Sequence, residues 1–298
     1  MLILRSNNAI FMSTALLMAM SLTPLPQWGN NIALAEEPEK ERLVLAVHPY
    51  LAPSELIQRF TPLAVHLGAK AGCEVRLDIS RDYAEHIRRI AEGKVDLAYI
   101  GPASYVRAVK DYGEFPILAV QKISGKSYFR GVIVKSRGSK LKSLSDLRGR
   151  RFAFGDPVST MSHLIPMYML IQAGLDEGDY TYEFLQSHEN VALGVLVGDF
   201  DAGAVKEEVY EQYRSRGLEA LAYTPEIAEH LFIGRKGLPK GTVNALRKCL
   251  YILDSEPGGK QVLSSIKEGI SALAPVDDSE YDSLRRIITS LERAGVGK

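Results

Sequence analysis

The sequence predicts an α/β protein made of two small lobes followed by a helical C-terminal region. Short apolar runs with strand character alternate with segments whose apolar residues recur at helical spacing. A chain of 298 residues is long enough for about two domains. The polar stretch Ser136–Lys142 separates two such alternating series. This alternation favours mostly parallel sheets covered by helices on both faces.

The first series lies before this polar stretch. Leu56, Phe60 and Leu63 recur at helical spacing and indicate a helix with one buried face. Asp82 is a favoured helix N-cap, and Gly93 is a favoured stop. In chain order the predicted elements are the strand Leu43–Val47, the helix Ser54–Lys70, the strand Val75–Ile79, the helix Tyr83–Glu92, the strand Val95–Ile100, the helix Ser104–Asp111 and the strands Ile117–Val120 and Gly131–Val134.

The second series follows the same logic. Its predicted elements are the strand Arg151–Phe154, the helix Ser159–Ala173, the strand Tyr182–Leu185, the helix Val191–Val197, the strand Phe200–Val205, the helix Glu207–Arg216 and the extended segments Leu218–Pro225 and Leu231–Gly234. From Pro239 to Arg293 the pattern is helical, with one interruption at Glu256–Gly259.

Residues 1–35 are typical of a secretory signal peptide rather than of a folded segment. They contain the basic residue Arg5, the apolar run Ala9–Leu22 and the small-residue exit Ala33–Ala35. The apolar run is shorter than the ~20 residues that cross a bilayer as a helix, although an uncleaved membrane anchor is the competing interpretation. We therefore expect an exported chain that begins near Glu36.

Composition and motifs exclude several functional classes. Lys and Arg number 36, as do Asp and Glu, so no basic excess favours nucleic-acid binding. Cys73 and Cys249 could form a disulfide in an exported protein or remain buried thiols. The six histidines show no local metal-ligand spacing, and no nucleophile or cofactor motif is present. We expect no metal, no cofactor and no catalysis.

One segment combines the features of an anion site. The strand that ends at Phe154 is followed by a Gly/Pro turn and by the hydroxyls of Ser159, Thr160 and Ser162, ahead of an apolar helical run. Such hydroxyls commonly cap a helix. The same helix start, with its free N–H groups and its dipole, can instead hold an anion. Both interpretations remain open at this point.

Tyrosines cluster at the predicted strand ends of the first lobe. Tyr83, Tyr99, Tyr105 and Tyr128 lie at or just beyond these ends, where open α/β sheets bind their ligands. A tyrosine offers an apolar wall and one hydroxyl, which suits a small polar ligand. Tyr105 fits simple packing better than ligand contact.

Taken together, several segments resemble the periplasmic phosphate/phosphite/phosphonate-binding proteins of ABC transporters. They occur in the family's order and cover nearly the whole chain after residue 35. The matching segments are Arg59–Ala64, Asp82-Tyr83, Gly93–Pro102, Tyr105-Val106, Gly155–Thr160, Ser187–Glu189, Asp201–Val205 and Arg235–Pro239.

The resemblance implies a two-lobed type II periplasmic-binding-protein fold, with a ligand cleft between lobes joined by a two-strand hinge. The expected boundaries are residues 36–137 for the first part of lobe 1, 138–224 for lobe 2 and 225–298 for the return to lobe 1 with its C-terminal helices. The crossings between lobes are expected near Lys135–Lys142 and Ala222–Ile227. Closure of such a hinge needs only a few residues to change conformation.

The resemblance also implies roles for particular residues. Ser159 and Thr160 correspond to the pair that binds phosphonate oxygens, and His188 corresponds to an imidazole that donates to the anion. The expected ligand contacts, including the strand-end tyrosines, are Tyr83, Tyr99, Tyr128, Ser159, Thr160, His188, Glu208 and Glu229. The two glutamates match positions that meet a ligand amine when an aminoalkylphosphonate is bound.

The expected function is the capture of a small phosphorus oxyanion in the periplasm for an ABC importer, whose inner-membrane permease is the expected partner. One departure from the family is Met161, where a third hydroxyl is common; a thioether is at best a weak acceptor. Two alternatives use the same fold: a periplasmic sensor that acts on a membrane signalling protein, and an enzyme.

Overall fold

The computed structural model describes residues 42–296, so the predicted signal peptide lies outside the described residues. Residues 42–296 form thirteen strands and nine α-helices. The strands are β1 (Arg42–Val47), β2 (Glu74–Ile79), β3 (Leu97–Ile100), β4 (Ile117–Ile123), β5 (Tyr128–Phe129), β6 (Gly131–Ser136), β7 (Arg151–Phe154), β8 (Thr181–Phe184), β9 (Ala202–Lys206), β10 (Leu218–Tyr223), β11 (Ile227–Ala228), β12 (Leu231–Gly234) and β13 (Ile270–Ala274). The helices are α1 (Pro53–Ala71), α2 (Tyr83–Ala91), α3 (Pro102–Tyr112), α4 (Ile165–Gln172), α5 (His188–Val197), α6 (Glu207–Arg214), α7 (Lys240–Tyr251), α8 (Gly259–Ile266) and α9 (Asp282–Arg293).

The first lobe is built on a six-stranded sheet in the order β13-β4-β12-β3-β1-β2. Leu45 and Ala46, neighbours in β1, belong to core clusters on opposite faces of this sheet, because successive strand residues point to opposite sides. Helices cover both faces, as the alternating pattern predicts. The sheet is mixed rather than mostly parallel, since β12 is antiparallel to β3 and β4 and β13 is antiparallel to β4.

The C-terminal region, predicted as helical, contains the strand β13. Its sequence, ISALA, lacks the Val- and aromatic-rich composition that marks strands. The segment is a strand because it pairs with β4 at the edge of the first sheet. This contact with a distant part of the chain leaves little trace in the local pattern.

The second lobe is built on a five-stranded sheet in the order β10-β6-β9-β7-β8. α5 and α6 bury Val191, Val195 and Val209 on one face, and α4 buries its side chains in the core cluster that contains Phe152 and Phe154 of β7. The predicted single helix Ser159–Ala173 is a π-helical turn, Thr160–Leu164, followed by α4. Pro166 lies in the first turn of α4, directly after the π-helical turn.

Two crossing segments join the lobes, and they pair with each other as β5 and β11. The first crossing lies at Tyr128–Arg130, because β6 already pairs within the second sheet. The expected boundary at residue 137 was therefore wrong. The polar stretch Ser136–Lys142 follows β6 on the surface of the second lobe, and its polarity is that of any exposed loop. The second crossing lies between β10 and β12.

The last helix contacts both lobes instead of returning to the first alone. α9 packs against α3 of the first lobe and α4 of the second. Its buried residues, Leu284, Ile287 and Leu291, belong to a core cluster that continues from one lobe into the other. The two lobes are thus in contact through α9 as well as through the crossing strands.

Two expectations concern covalent and membrane features. Cys73 and Cys249 are half-buried, and no disulfide joins them within residues 42–296. No helix in the described part of the chain is both long and apolar enough to cross a membrane.

Candidate ligand-binding cleft

A cavity of about 510 Å³ lies between the two lobes. Residues from the carboxyl ends of strands in both sheets line it, together with Phe129 from the first crossing. This is the place where open α/β sheets bind ligands. Of the residues predicted to bind a ligand, the structure brings six to this cavity: Tyr83, Tyr99, Ser159, Thr160, His188 and Glu208.

One part of the second-lobe wall of the cavity is the segment Asp156–Ser162, which follows Gly155. Only glycine fits at position 155, since a Cβ there would lie 2.2 Å from the Ser162 Oγ. The Ser159 Oγ accepts a hydrogen bond from the Ser162 N–H at 3.2 Å. As an acceptor in this bond, the Ser159 hydroxyl keeps its own proton available for a second partner.

Backbone groups add to the donors of this wall. The first N–H groups of the helix that begins at Thr160 have no acceptor one turn earlier in the helix, and the helix dipole adds a partial positive charge there. The Ser159 and Thr160 side chains line the cavity beside these groups. Hydroxyl and N–H donors therefore converge on one side of the cleft. The capping role of Ser159 and the anion-site interpretation coexist in this geometry.

His188 presents one ring nitrogen to the same side. It is the first residue of α5, and its Nδ1 accepts a hydrogen bond from the Lys206 backbone N–H at 3.1 Å. Burial, followed by the charges of Lys206 and Lys267, lowers the pKa of His188 to about 3. The ring is therefore neutral near pH 7 and carries its proton on Nε2. His188 lines the cavity and can donate this N–H to an acceptor there.

The first-lobe wall is aromatic. Tyr83 is the first residue of α2. Asp82 is the N-cap of this helix, as predicted, because its carboxylate accepts a hydrogen bond from the Glu85 N–H at 2.7 Å. The Tyr83 ring packs edge-on against His48, with ring centroids 5.3 Å apart. Among the described residues, the Tyr83 hydroxyl has no hydrogen-bond partner, and burial followed by the charge of Asp156 raises the pKa of the phenol. It is free to donate to a ligand.

Tyr99 forms part of the floor rather than a donor wall. Its hydroxyl donates to the Gln121 Oε1 at 2.9 Å, and the Gln121 Nε2 donates to Glu229 at 2.8 Å. Glu229 is only 1% exposed and also accepts from the backbone N–H and the Nδ1 of His230. Burial opposes the charge of Glu229, but the hydrogen bond from His230 outweighs it and lowers the pKa of the carboxyl. Glu229 lies behind the cavity lining, and its carboxylate already accepts hydrogen bonds from Gln121 and His230.

Glu208 lies at the mouth of the cleft, where Lys267 neutralises it. Lys267 follows α8 in the first lobe, and its Nζ lies 2.5 Å from the Glu208 Oε1 on α6 of the second lobe. Of the ion pairs formed within residues 42–296, this one links the first lobe directly to the second across the cleft. Glu208 thus borders the cavity, as expected for a ligand contact, but its carboxylate already forms an ion pair with Lys267.

Tyr128 does not belong to the cavity, which contradicts its assignment as a ligand contact. Its side chain is 40% exposed, and its hydroxyl donates to the Glu280 carboxylate. Its neighbour Phe129 lines the cavity instead. The two residues form β5, where consecutive side chains point to opposite sides, so Tyr128 faces away when Phe129 faces the cleft.

Met161, the departure from the family pattern, is buried at the second crossing. Its Sδ lies 3.6 Å from the Thr224 Oγ1, which in turn accepts from the Gly131 N–H at 2.8 Å. The thioether therefore contacts Thr224, the residue that ties the start of the second crossing to the start of β6. Met161 thus links the second-lobe wall to the segment that leads into the second crossing.

Sequence reasoning missed Lys206 and His48. Lys206 is the last residue of β9 and lines the cavity, and His48 directly follows β1 and lines it from the first lobe. Both lie at strand ends, so the rule that selected the tyrosines could have found them. Among the described residues, no group of His, Cys, Asp or Glu is arranged to hold a metal ion.

A family model described as "ABC transporter, phosphonate, periplasmic substrate-binding protein" matches residues 45–281. The chain is 26% identical to the phosphate-import protein PhnD of Mycolicibacterium smegmatis, over 83% of this chain and 85% of that protein. It is 27% identical to the probable ABC transporter phosphite binding protein PhnD1 of Prochlorococcus marinus, over 80% of this chain and 86% of that protein.

A solved structure of one of these relatives has a similar fold. The structure of PhnD1 from Prochlorococcus marinus in complex with methylphosphonate superposes with a TM-score of 0.72, at 24% sequence identity. The match covers 84% of this chain and 98% of that chain. This likeness confirms the two-lobed type II periplasmic-binding-protein fold that the sequence predicts.

Proposed function

We propose that this chain, which belongs to the phosphonate family of periplasmic substrate-binding proteins of ABC transporters, holds a phosphorus oxyanion in the cleft between its lobes. Phosphate, phosphite and a simple phosphonate are the members of this ligand class. The protein would carry the bound anion to the permease of an importer in the inner membrane. Its related proteins carry names that refer to phosphate import, phosphite binding and a methylphosphonate complex.

The observation that carries the proposal is the set of donors on the second-lobe wall. The hydroxyls of Ser159 and Thr160, the N–H groups at their helix start and the Nε2 of His188 all border the same cavity. Donors arranged around one point suit a tetrahedral anion, which presents oxygens in several directions. The free Tyr83 hydroxyl lies on the opposite lobe, so a bound anion would bridge the two walls.

The fold supports transport by closure around the ligand. Two short crossing strands can change conformation while each sheet stays intact. The Lys267–Glu208 ion pair at the mouth would stabilise the closed arrangement. Since the pair is partly exposed, we expect it to contribute less than about 1 kcal/mol. Most of the energy for closure would then come from the ligand itself.

The first test is a thermal-shift screen of the protein without residues 1–35, read with an extrinsic dye because Trp28, the single tryptophan of the chain, is removed with them. The panel contains phosphate, phosphite, methylphosphonate, sulfate and uncharged solutes. A ligand present at a hundred times its Kd adds about 2.7 kcal/mol of stability, which is several degrees for a protein of this size.

The double variant Ser159→Ala/Thr160→Ala should weaken binding of the active anion by about 100-fold or more, because two donors are lost from a partly buried site. Its ligand-free melting temperature should fall by only a few degrees, since Ser159 also caps the helix. The control Ser145→Ala/Thr181→Ala removes exposed hydroxyls of the same lobe away from the cleft and should bind normally. Absence of a shift with every phosphorus anion, or normal binding by the Ser159/Thr160 variant, would contradict the proposal.

A further inference from the structure

The two glutamates expected to meet a ligand amine already have partners within the protein. Glu208 pairs with Lys267, and Glu229 accepts hydrogen bonds from His230 and Gln121. Of the other two carboxylates that border the cavity, Asp156 accepts from the Val158 N–H at 2.8 Å and Glu189 is exposed. Within the described residues, the two lining carboxylates that lack a cationic partner are thus half-buried (Asp156) or exposed (Glu189) rather than enclosed in the cleft.

Lys206, by contrast, is a cationic side chain without an ion-pair partner among the described residues. It lines the cavity, and no carboxylate within the described residues lies within ion-pair distance of its Nζ. The Nζ lies 5.5 Å from the centre of the Phe129 ring, which borders the same cavity. Burial, followed by the charge of Lys267, lowers the pKa of Lys206. An ammonium group without a counterion away from bulk water is costly, and an anionic ligand would offset that cost.

The position of Lys206 ties it to the donor wall. Its backbone N–H fixes the His188 ring by donating to Nδ1, and its side chain starts from the carboxyl end of β9. A ligand oxygen bound by the His188 Nε2 would therefore lie in the same half of the cavity as the Lys206 ammonium. A ligand with its own ammonium group would meet this lysine, while Glu208 and Glu229 are already engaged by protein groups.

We propose that Lys206 sets the ligand class by binding an anionic oxygen and by disfavouring ligands that carry an ammonium group. The preferred ligands are then phosphorus oxyanions without an amine, such as phosphate, phosphite or an alkylphosphonate, and aminoalkylphosphonates are poor ligands. This inference rests on the proposed function and specifies its ligand. It replaces the expectation that Glu208 and Glu229 meet a ligand amine.

The test compares two ligands of nearly equal shape, n-propylphosphonate and 2-aminoethylphosphonate, which differ by a methyl group in place of an ammonium. Calorimetric titration of the wild-type protein should give a Kd at least tenfold lower for n-propylphosphonate. Lys206→Met should weaken n-propylphosphonate binding by about 10- to 100-fold, the range for a lost hydrogen bond to a charged group. It should weaken 2-aminoethylphosphonate binding less, so the ratio of the two constants should approach one.

Lys140→Met serves as the matched control, because it removes the same charge from an exposed position of the same lobe. Both Kd values should stay at their wild-type levels in this variant. A second readout is the melting temperature without ligand. Lys206→Met should raise it, because the variant removes a half-buried charge that has no counterion, whereas a lysine with only a structural role would lower it on removal.

Three results would overturn the inference. One is equal affinity of the wild-type protein for the two ligands, and another is an equal loss of both affinities in Lys206→Met. The third is a lower melting temperature of this variant with an unchanged affinity ratio. If the wild-type protein binds no phosphorus anion at all, the proposed function itself fails, and the inference fails with it.

Discussion

The two walls of the cleft are built in different ways. In the second-lobe wall, the Ser159 and Thr160 hydroxyls come from one continuous segment, Gly155–Ser162. Near neighbours in the chain hold its side chains: Asp156 accepts from the Val158 N–H, and Ser159 accepts from the Ser162 N–H. The first-lobe wall is assembled from distant segments. His48 follows β1, Tyr83 begins α2 and Tyr99 lies in β3, so these residues meet only in the folded lobe.

This difference separates two tasks in ligand binding. In the proposed function, the local segment would present its donors to an anion with little rearrangement, because short-range hydrogen bonds already order it. The aromatic wall retains polar atoms that lack partners: both ring nitrogens of His48 are buried and make no hydrogen bond within the described residues. The second lobe thus carries most of the donor groups that border the cleft, and the first lobe adds the Tyr83 hydroxyl and an aromatic surface.

Gly155→Ala is the substitution that should damage the second-lobe wall most. The added Cβ would lie 2.2 Å from the Ser162 Oγ and 2.8 Å from the Ser162 Cβ, so the start of the helix must move. We expect a loss of about 1–3 kcal/mol in the free energy of unfolding, as for overpacking in a core. Binding of the phosphorus anion should become undetectable by calorimetry, because Ser159 and Thr160 move with the helix start.

Gly178→Ala is the matched control for this change. Gly178 lies in an exposed turn of the same lobe, and an added Cβ meets no atom within 4 Å. Both its stability and its affinity should match the wild-type values. Normal ligand affinity in Gly155→Ala would show that the loop does not form the anion site, and the contrast between the two walls would then be wrong.

Acid pH should reveal the imidazoles on both walls. Burial lowers the pKa of His86, behind the first-lobe wall, to about 4 and that of His188 to about 3. The unfolded chain protonates these rings near pH 6.5. Between these values the unfolded state binds more protons, so the stability that is fully present above pH 6.5 is lost as the pH falls.

Each ring should cost about 2 kcal/mol of stability at pH 5 relative to pH 7.5. Urea unfolding of the ligand-free protein at the two pH values measures this difference. His86→Gln and His188→Gln should each reduce the pH dependence, and only the second should weaken anion binding at pH 7.5. A pH dependence that neither variant changes would mean that other groups cause the acid loss.

The same contrast explains what the sequence could predict. The second-lobe wall was predictable because strand, turn, hydroxyls and helix follow each other directly from Phe154 to Leu164. The hydrogen bonds at the first-lobe floor were not predictable. They run from Tyr99 through Gln121 to Glu229, and these residues are far apart in the sequence. The prediction for Tyr128 was wrong because neighbouring residues of a strand face opposite sides, and the sequence does not show whether Tyr128 or Phe129 faces the cleft.

The distant elements show the same limit at the level of the fold. Helices α1 and α2 were predicted nearly to the residue, because their buried faces and the Asp82 cap are local signals. β13 and the place of the first crossing depend on which strands pair, and local composition does not encode that choice. The charge of Lys206 is visible in the sequence, whereas its lack of a counterion exists only in the folded cleft.

A pair of tyrosine variants tests the first-lobe wall with the smallest expected effect. Tyr83→Phe removes a hydroxyl that has no partner among the described residues, so stability should stay unchanged or rise slightly. If this hydroxyl donates to the anion, the Kd should increase by about tenfold, or about 1.4 kcal/mol.

Tyr99→Phe instead leaves the Gln121 Oε1 without its donor and should lower the free energy of unfolding by about 1 kcal/mol. Its affinity should change little. Calorimetric titration and urea unfolding of both variants separate the two roles, and a Tyr83→Phe variant with wild-type affinity would restrict anion recognition to the second lobe.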